Sequence, residues 1–249
     1  MSKEIELKLS LSAAQARRLQ VHPLLAGQKP EKFRLYNTYY DTPDFDLRKR
    51  GIALRLRRKG WAVWLMTVKG GDSGAGGLAE RSEWEAPTQP GVFDFSIVGD
   101  VALREFLNAQ LGRLTPVFST DFSRSAWLIA RNNCQVELVL DRGYVEVKSN
   151  PATAARKIPL CEIELELIEG SSSDVLFDLA IGLATDLHLH PEILSKAERG
   201  YVLADSSLSL PVKACATPLV LEMSPVEAVR LIALSCILQL QRNEAGAIA

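Results

Sequence analysis

The chain has 249 residues, of which 47% are hydrophobic and 24% charged, a composition typical of a soluble globular protein with one large domain or one domain and a fragment. Its net charge of −1 argues against bulk attraction to nucleic acid or to a membrane. No apolar run reaches the roughly 18 to 20 residues that span a bilayer, and the N-terminus lacks an apolar signal-peptide core. The four cysteines show no paired metal-ligand spacing, so we expect a cytoplasmic protein with reduced thiols.

Nine segments alternate or otherwise read as strands, and five have capping signals and helical periodicity. In the first segment the charged Glu4, Glu6 and Lys8 alternate with apolar residues, which is the period-two pattern of a strand. We predict strands over residues 1–10, 33–41, 52–58, 64–69, 81–85, 117–129, 135–141, 144–148 and 161–167. We predict helices over residues 12–25, 100–111, 171–188, 192–204 and 224–245.

Three local patterns have a functional and a purely structural interpretation. The glycine-rich residues 70–77 suggest a phosphate loop, but they lack the Gly-Lys-Ser/Thr ending, which favours a hairpin loop. Asp141 begins an Asp-Arg-Gly hairpin-turn signal over residues 141–143, so it is either a turn residue or a metal ligand. His188 and His190 either bind a metal or lie exposed near a helix end, and exposure is the more ordinary outcome.

The charge is sorted along the chain, although it nearly cancels overall. Residues 48–59 hold seven basic side chains and no acidic one, whereas residues 161–169 hold four glutamates and no basic one. A solvated antiparallel sheet is one explanation, although it predicts more Ser, Thr and Gln on the polar faces. The other is a closed antiparallel barrel with a charged lumen and helices packed outside.

A charged lumen has a chemical consequence, because unpaired buried charges are costly and need a ligand that balances them. Arginine and lysine suit phosphate oxygens, whereas carboxylates suit hard divalent cations such as Mg²⁺. A polyphosphate with its metal ions therefore suits both kinds of wall.

The motifs along the chain resemble, in type and order, those of the CYTH, or triphosphate tunnel metalloenzyme, family. They are Glu4-x-Glu6-x-Lys8, YYDTP at 39–43, Arg55-x-Arg57, Lys69-Gly70, Arg81-x-Glu83, Arg124, Glu162-x-Glu164-x-Glu166 and SKAERGY at 195–201. Each motif is weak alone, but the ordered set covers roughly residues 1–205. The resemblance is closest to bacterial inorganic triphosphatases that carry a C-terminal helical CHAD domain.

The resemblance implies an α+β fold built on a closed eight-stranded antiparallel barrel. Its expected divisions are a tunnel domain over residues 1–205, a linker over 206–217 and, over 218–249, the first helix of a truncated CHAD-like domain. The expected activity is hydrolysis of inorganic triphosphate to pyrophosphate and phosphate by a water that one or two Mg²⁺ or Mn²⁺ ions activate.

The resemblance also implies roles for individual residues. Expected to bind the triphosphate are Lys8, Arg55, Arg57, Lys69, Arg81, Arg124 and Lys196. Expected to bind metal are Glu4, Glu6, Glu83, Glu85, Asp141, Glu162, Glu164 and Glu166. Expected to be catalytic are Glu4, Glu6, Lys8 and Lys196, the last of which closes the tunnel mouth or assists water activation.

Three other functions share these motifs. A class IV adenylate cyclase and a thiamine triphosphatase would use the same tunnel, since the discriminating contacts reach the organic part of the substrate. A polyphosphate-binding module without catalysis is the alternative from another class. In each case we expect a monomer or homodimer that has no nucleic-acid or membrane partner.

Overall fold

The protein is a closed antiparallel β-barrel with helices around it. The computed structural model describes residues 2–71, 75–149, 154–209 and 211–248. The strands are β1 (Ser2–Ser10), β2 (Glu31–Asp41), β3 (Ile52–Lys59), β4 (Val63–Gly70), β5 (Leu78–Pro87), β6 (Thr115–Arg131), β7 (Cys134–Val147), β8 (Arg156–Glu169) and β9 (His190–Pro191). The helices are α1 (Ala13–Leu19), α2 (Val101–Gln110), α3 (Asp174–Ala184), α4 (Lys196–Ala204) and α5 (Pro225–Ile248).

The barrel follows the order β5-β4-β3-β2-β6-β7-β8-β1, and antiparallel pairing of β1 with β5 closes it. The two-residue β9 pairs with the end of β1. These pairings confirm the predicted closed eight-stranded barrel. Strand β1 places Glu6 beside Glu166 and Lys8 beside Glu164 on β8, so the charged side chains of the two strands share the inner face.

The outward faces of the strands are apolar and are covered by three helices. Helices α1 and α3 bury Leu19 and Leu179 against outward residues of β1, β7 and β8, such as Leu138. Helix α2 buries Leu107 against β3, β4 and β5 on another side. The outer helices therefore cover the apolar faces of the strands, and the charged faces of the same strands line the lumen.

Helix α4 packs over one end of the barrel. Its Tyr201 joins Tyr39, Phe118 and Val145, inward-facing residues of β2, β6 and β7, in an apolar cluster. Gly200 lies directly against Phe118, since a Cβ on this residue would fall 2.0 Å from the aromatic ring. The absence of a side chain at Gly200 thus lets α4 approach the end of the lumen.

Two predicted boundaries are wrong for identifiable reasons. The hairpin turn predicted at residues 141–143 does not form. Strand β7 continues through these residues, and Asp141 pairs with Arg124 of β6 on one side and with Glu162 of β8 on the other. Gly143 permits this close pairing, since a Cβ there would lie 2.1 Å from the carbonyl oxygen of Asp121. The helix predicted over 192–204 begins only at Lys196, because Ser195 and Glu198 form a capping box.

Other local predictions have clear outcomes. The glycine-rich segment 70–77 joins β4 to β5 as expected, although residues 72–74 lie outside the described residues. His188 and His190 are exposed. Within the described ranges, none of the helices has both the length and the apolar character needed to cross a membrane.

Candidate functional site

The lumen contains a cavity of about 420 Å³ lined by eight basic and seven acidic side chains. It gathers residues from all eight long strands and from the start of α4. Thirteen of the fifteen residues predicted for the site line it: Glu4, Glu6, Lys8, Arg55, Arg57, Lys69, Arg81, Glu83, Glu85, Arg124, Glu164, Glu166 and Lys196. The other two, Asp141 and Glu162, are fully buried behind Lys196. The thirteen residues that the family resemblance implied thus meet in one cavity, twelve from strands and Lys196 from α4.

One part of the cavity is rich in carboxylates. The ammonium of Lys69 donates to both oxygens of Glu4, at 2.6 and 2.7 Å, and lies 3.4 Å from Glu83. Burial raises the pKa of Glu4 despite Lys69. Burial and the neighbouring Glu4 raise the pKa of Glu166 to about 8. Glu83 also lies 3.8 Å from Arg55, whereas burial and neighbouring carboxylates disfavour the ionised forms of Glu4 and Glu166.

Glu6 has a different environment, although it is only two residues along β1. Its carboxylate accepts from Arg81 at 2.6 Å and from Lys8 at 3.0 Å. Burial would raise the pKa of Glu6, but Lys8, Lys69 and Arg81 outweigh it and lower the pKa to about 2. Glu6 is therefore already neutralised by side chains of the protein.

The arginines of β3 form the basic wall. Arg55 donates to the hydroxyl of Thr67 at 3.2 Å, and Arg57 donates to Asn37 at 2.8 Å. Both guanidinium groups lie 3.8 Å from Glu85. Burial, Arg55 and the nearby Arg124 lower the pKa of Arg57 to about 10. A buried cation that is disfavoured by other cations is a suitable partner for an anionic ligand.

The deepest part of the site joins β6, β7, β8 and α4. Arg124 forms a bidentate pair with Asp141, at 2.8 and 2.7 Å, and also contacts Glu164 at 2.8 Å. The ammonium of Lys196 lies 2.8 Å from both Asp141 and Glu164 and also pairs with Glu162. Lys196 thus bonds carboxylates at the closed end of the cavity.

Two groups of carboxylates differ in their suitability for a divalent cation. Asp141, Glu162 and Glu164 place oxygens within 4.8 Å of one another, close enough to share an ion. However, Lys196 already pairs with all three. At Glu4 a divalent cation would have to share the carboxylate with Lys69, which bonds both of its oxygens, whereas burial and like charges raise the pKa of Glu4 and Glu166 and so favour an added cation there.

Sequence reasoning missed several residues of the site, including Lys59, the eighth basic side chain of the lining. Tyr39 lines the cavity, and it would have been found from its position opposite the inward-facing Arg55 on the neighbouring strand. Glu137 lines the cavity because it shares the inward face of β7 with Asp141. Arg199 pairs with Glu162 and lies three residues after Lys196, which places both on one side of α4.

The chain is similar in sequence to a curated protein. An inorganic triphosphatase from Haemophilus influenzae is 32% identical over 207 residues, which are 82% of this chain and 55% of that protein. The chain thus spans about half the length of this curated relative.

Two solved structures share the fold. A putative adenylyl cyclase from Hippeastrum, described as having a dominant triphosphatase activity, superimposes with a TM-score of 0.58 at 17% identity, over 82% of this chain and 96% of that one. A protein from Pyrococcus horikoshii OT3 superimposes with a TM-score of 0.51 at 20% identity, over 79% of this chain and 97% of that one. The CYTH domain model matches residues 2–201, and with this match the chain belongs to the CYTH domain family.

Proposed function

We propose that this protein hydrolyses inorganic triphosphate to pyrophosphate and phosphate with Mg²⁺ or Mn²⁺ as cofactor. The observation that carries the proposal is the gathering of eight basic and seven acidic side chains inside one closed barrel, with Arg55 and Arg57 on β3 and Glu164 and Glu166 on β8. Because the eight basic and seven acidic side chains nearly cancel, the cavity favours a ligand that is itself nearly neutral. Triphosphate bound with divalent cations is such a ligand, whereas triphosphate alone is strongly anionic.

The residues divide between phosphate and metal according to their existing partners. Arg55, Arg57 and Arg124 would hold phosphate oxygens. Of the three, Arg57 would gain most from a phosphate anion, because burial and the neighbouring arginines disfavour its charge. Lys8, Lys69, Arg81 and Lys196 would complete the set of phosphate contacts. For phosphoryl transfer, such positioning and charge neutralisation supply most of the catalysis.

The metal would be held by the carboxylates that protein cations neutralise least. These are Glu4 and Glu166, with Glu83 beside them. Glu6, Glu85, Asp141, Glu162 and Glu164 would act as further ligands once their basic partners turn to phosphate. When bound, one or two ions would neutralise phosphate charge and acidify the attacking water.

Similarity to the inorganic triphosphatase from Haemophilus influenzae supports the choice of substrate, although this chain spans only 55% of that protein.

We propose that α5 begins a CHAD-type helical domain after the linker 206–217. The apolar side chains of Val226, Val229 and Leu240, which are exposed on this helix, support the proposal. We also propose that the protein works in the cytoplasm as a monomer or homodimer, since its four cysteines are free thiols.

A phosphate-release assay tests the proposal. The protein would be incubated with tripolyphosphate, ATP or thiamine triphosphate, each with Mg²⁺, with Mn²⁺ or with EDTA. We expect metal-dependent phosphate release, fastest from tripolyphosphate. Formation of cyclic AMP from ATP would identify a cyclase instead. Tight tripolyphosphate binding without release of phosphate from any substrate would identify a binding module and overturn the proposed hydrolysis.

A further inference from the structure

Asp41 is a fully buried carboxylate at the end of β2, and it does not line the cavity. It accepts hydrogen bonds from the backbone N–H groups of Thr42 at 2.7 Å, Leu47 at 2.9 Å and Arg48 at 3.0 Å. A fourth comes from the hydroxyl of Tyr201 on α4, at 2.7 Å. Three donors thus belong to the loop that follows β2, and the fourth joins this loop to a helix 160 residues later.

The ring of Tyr201 is held on two sides, which directs its hydroxyl toward Asp41. Phe118 meets the ring edge-to-face at a centroid distance of 5.2 Å, and Phe45 does so at 5.5 Å. Phe45 itself has a φ of 57°, which residues other than glycine seldom adopt. The loop therefore keeps an unfavourable backbone conformation in which its aromatic residue packs against Tyr201.

Helix α4 is attached by ion pairs of Lys196 and Arg199 and by a hydrogen bond of Tyr201. At its first residue, the ammonium of Lys196 lies 2.8 Å from the carboxylates of Asp141 and Glu164. Five residues later, Tyr201 donates to Asp41 outside the cavity lining. Of these three side chains only Lys196 lines the cavity that a phosphate group would enter.

We propose that Asp41 and Tyr201 are positioning residues that hold α4 in place and keep Lys196 at the closed end of the cavity. This inference rests on the proposed function, in which Lys196 meets the triphosphate. An anionic substrate competes with Asp141 and Glu164 for the ammonium of Lys196, so binding weakens the ionic attachment of α4. The bond between Tyr201 and Asp41 does not involve these groups, and together with the pair of Arg199 and Glu162 it keeps the helix in place while Lys196 changes partner.

Tyr201→Phe tests the proposal, because it removes the hydroxyl and retains the ring that packs on Phe118. A matched control is Tyr144→Phe, since the Tyr144 hydroxyl also donates to an aspartate, Asp121 at 3.0 Å, on the outer face of the barrel. With tripolyphosphate and Mg²⁺ we expect kcat/KM to fall about tenfold in Tyr201→Phe, the factor that corresponds to one hydrogen bond to a charged group. We expect Tyr144→Phe to match the wild type.

A double-mutant cycle separates positioning from general loosening of the fold. The Kd for tripolyphosphate with Mg²⁺ is measured in the wild type, Tyr201→Phe, Lys196→Ala and the double variant. If Tyr201 acts through Lys196, Tyr201→Phe weakens binding in the wild type and has no further effect in Lys196→Ala. An equal weakening in both backgrounds would overturn the proposal.

Hydrogen–deuterium exchange gives a readout that does not depend on activity. The amides of α4 are expected to exchange about tenfold faster in Tyr201→Phe than in the wild type or in Tyr144→Phe. Unchanged exchange in α4 would show that the bond does not hold the helix, whatever the wild type hydrolyses. Lack of turnover by the wild type would instead refute the proposed function, so the two failures are distinguishable.

Discussion

Arg57 and Arg58 are consecutive on β3, yet they lie on opposite sides of the barrel wall. The guanidinium of Arg57 hydrogen bonds Asn37 in the lumen, whereas that of Arg58 lies 5.8 Å from the ring of Tyr36 on the outside. We predict that Arg57→Met raises KM for tripolyphosphate at least about tenfold, since a charged hydrogen bond to substrate is lost. Arg58→Met should change KM less than about twofold.

The melting temperatures of the two arginine variants check that Arg57→Met loses substrate binding and not its fold. Burial, Arg55 and Arg124 disfavour the charge of Arg57, so Arg57→Met is expected to have a melting temperature without metal that equals or exceeds that of the wild type. Equal KM values for Arg57→Met and Arg58→Met would contradict the placement of phosphate against this wall.

Glu4 and Glu6 are predicted to differ in stability when substituted, although both substitutions should abolish metal-dependent turnover. Glu6→Gln leaves Lys8 and Arg81 buried without their partner, and the pKa of about 2 indicates a cost of about 3 kcal/mol in free energy of unfolding. Glu4→Gln removes a charge that burial already disfavours, so metal-free stability should be equal or higher. Urea unfolding near pH 7 measures both, and a larger loss in Glu4→Gln would refute this division.

The pH dependence of the metal-free protein follows from Glu166. Its pKa is about 8 in the folded protein, well above the ordinary value of 4.5, so between these values the folded state binds more protons than the unfolded state. Stability attributable to this group is therefore greatest below about pH 4.5 and falls as pH rises toward 8. We predict a melting temperature several degrees lower at pH 8 than at pH 6, since about 1 kcal/mol corresponds to roughly 2–4 °C in a domain of this size.

Two comparisons isolate the contribution of Glu166. Glu166→Gln should reduce the fall in melting temperature between pH 6 and pH 8, because the uncharged amide does not titrate. Mg²⁺ should raise the melting temperature of the wild type more at pH 8 than at pH 6, since it binds the ionised carboxylates. A decline of equal size in Glu166→Gln would assign the pH dependence to other groups.

Strand alternation predicted which side chains share a face, whereas the eight-stranded barrel was expected from the resemblance of the ordered motifs to the CYTH family. Glu4, Glu6 and Lys8 share one face by alternation alone, but only the closure of the barrel decides that this face lines a lumen and does not meet solvent. Asp141 was harder, because its Asp-Arg-Gly sequence is a local turn signal. Pairing with strands on both sides overrides that signal, and this pairing is set by distant parts of the chain.

The partners inside the lumen were beyond prediction from the sequence. Glu6 accepts a hydrogen bond from Arg81 on the paired strand β5, whereas Glu4 accepts one from Lys69 on β4. Periodicity treats these two glutamates alike, yet their pKa values move in opposite directions. The bond between Asp41 and Tyr201 likewise depends on where α4 docks, which no local pattern specifies.

Gly200 should not tolerate alanine, although alanine is the better helix former. A Cβ there would lie 2.0 Å from the ring of Phe118, and such overpacking costs about 1–3 kcal/mol or more. Gly182 in α3 is a matched helical control, because a Cβ would meet only the side chain of Leu24 at 4.0 Å. We predict that Gly200→Ala lowers the free energy of unfolding, whereas Gly182→Ala raises it by about 0.5–1 kcal/mol through helix propensity.

Phe118→Leu tests whether the ring is the cause of the loss at Gly200. A smaller side chain makes room for the added methyl group, so Phe118→Leu should cost less in the Gly200→Ala background than in the wild type. Chemical denaturation of the two single variants and the double variant measures this coupling. Because Gly200 precedes Tyr201, we also expect Gly200→Ala to lower turnover by displacing α4. A stable and fully active Gly200→Ala would show that the helix does not sit against the ring.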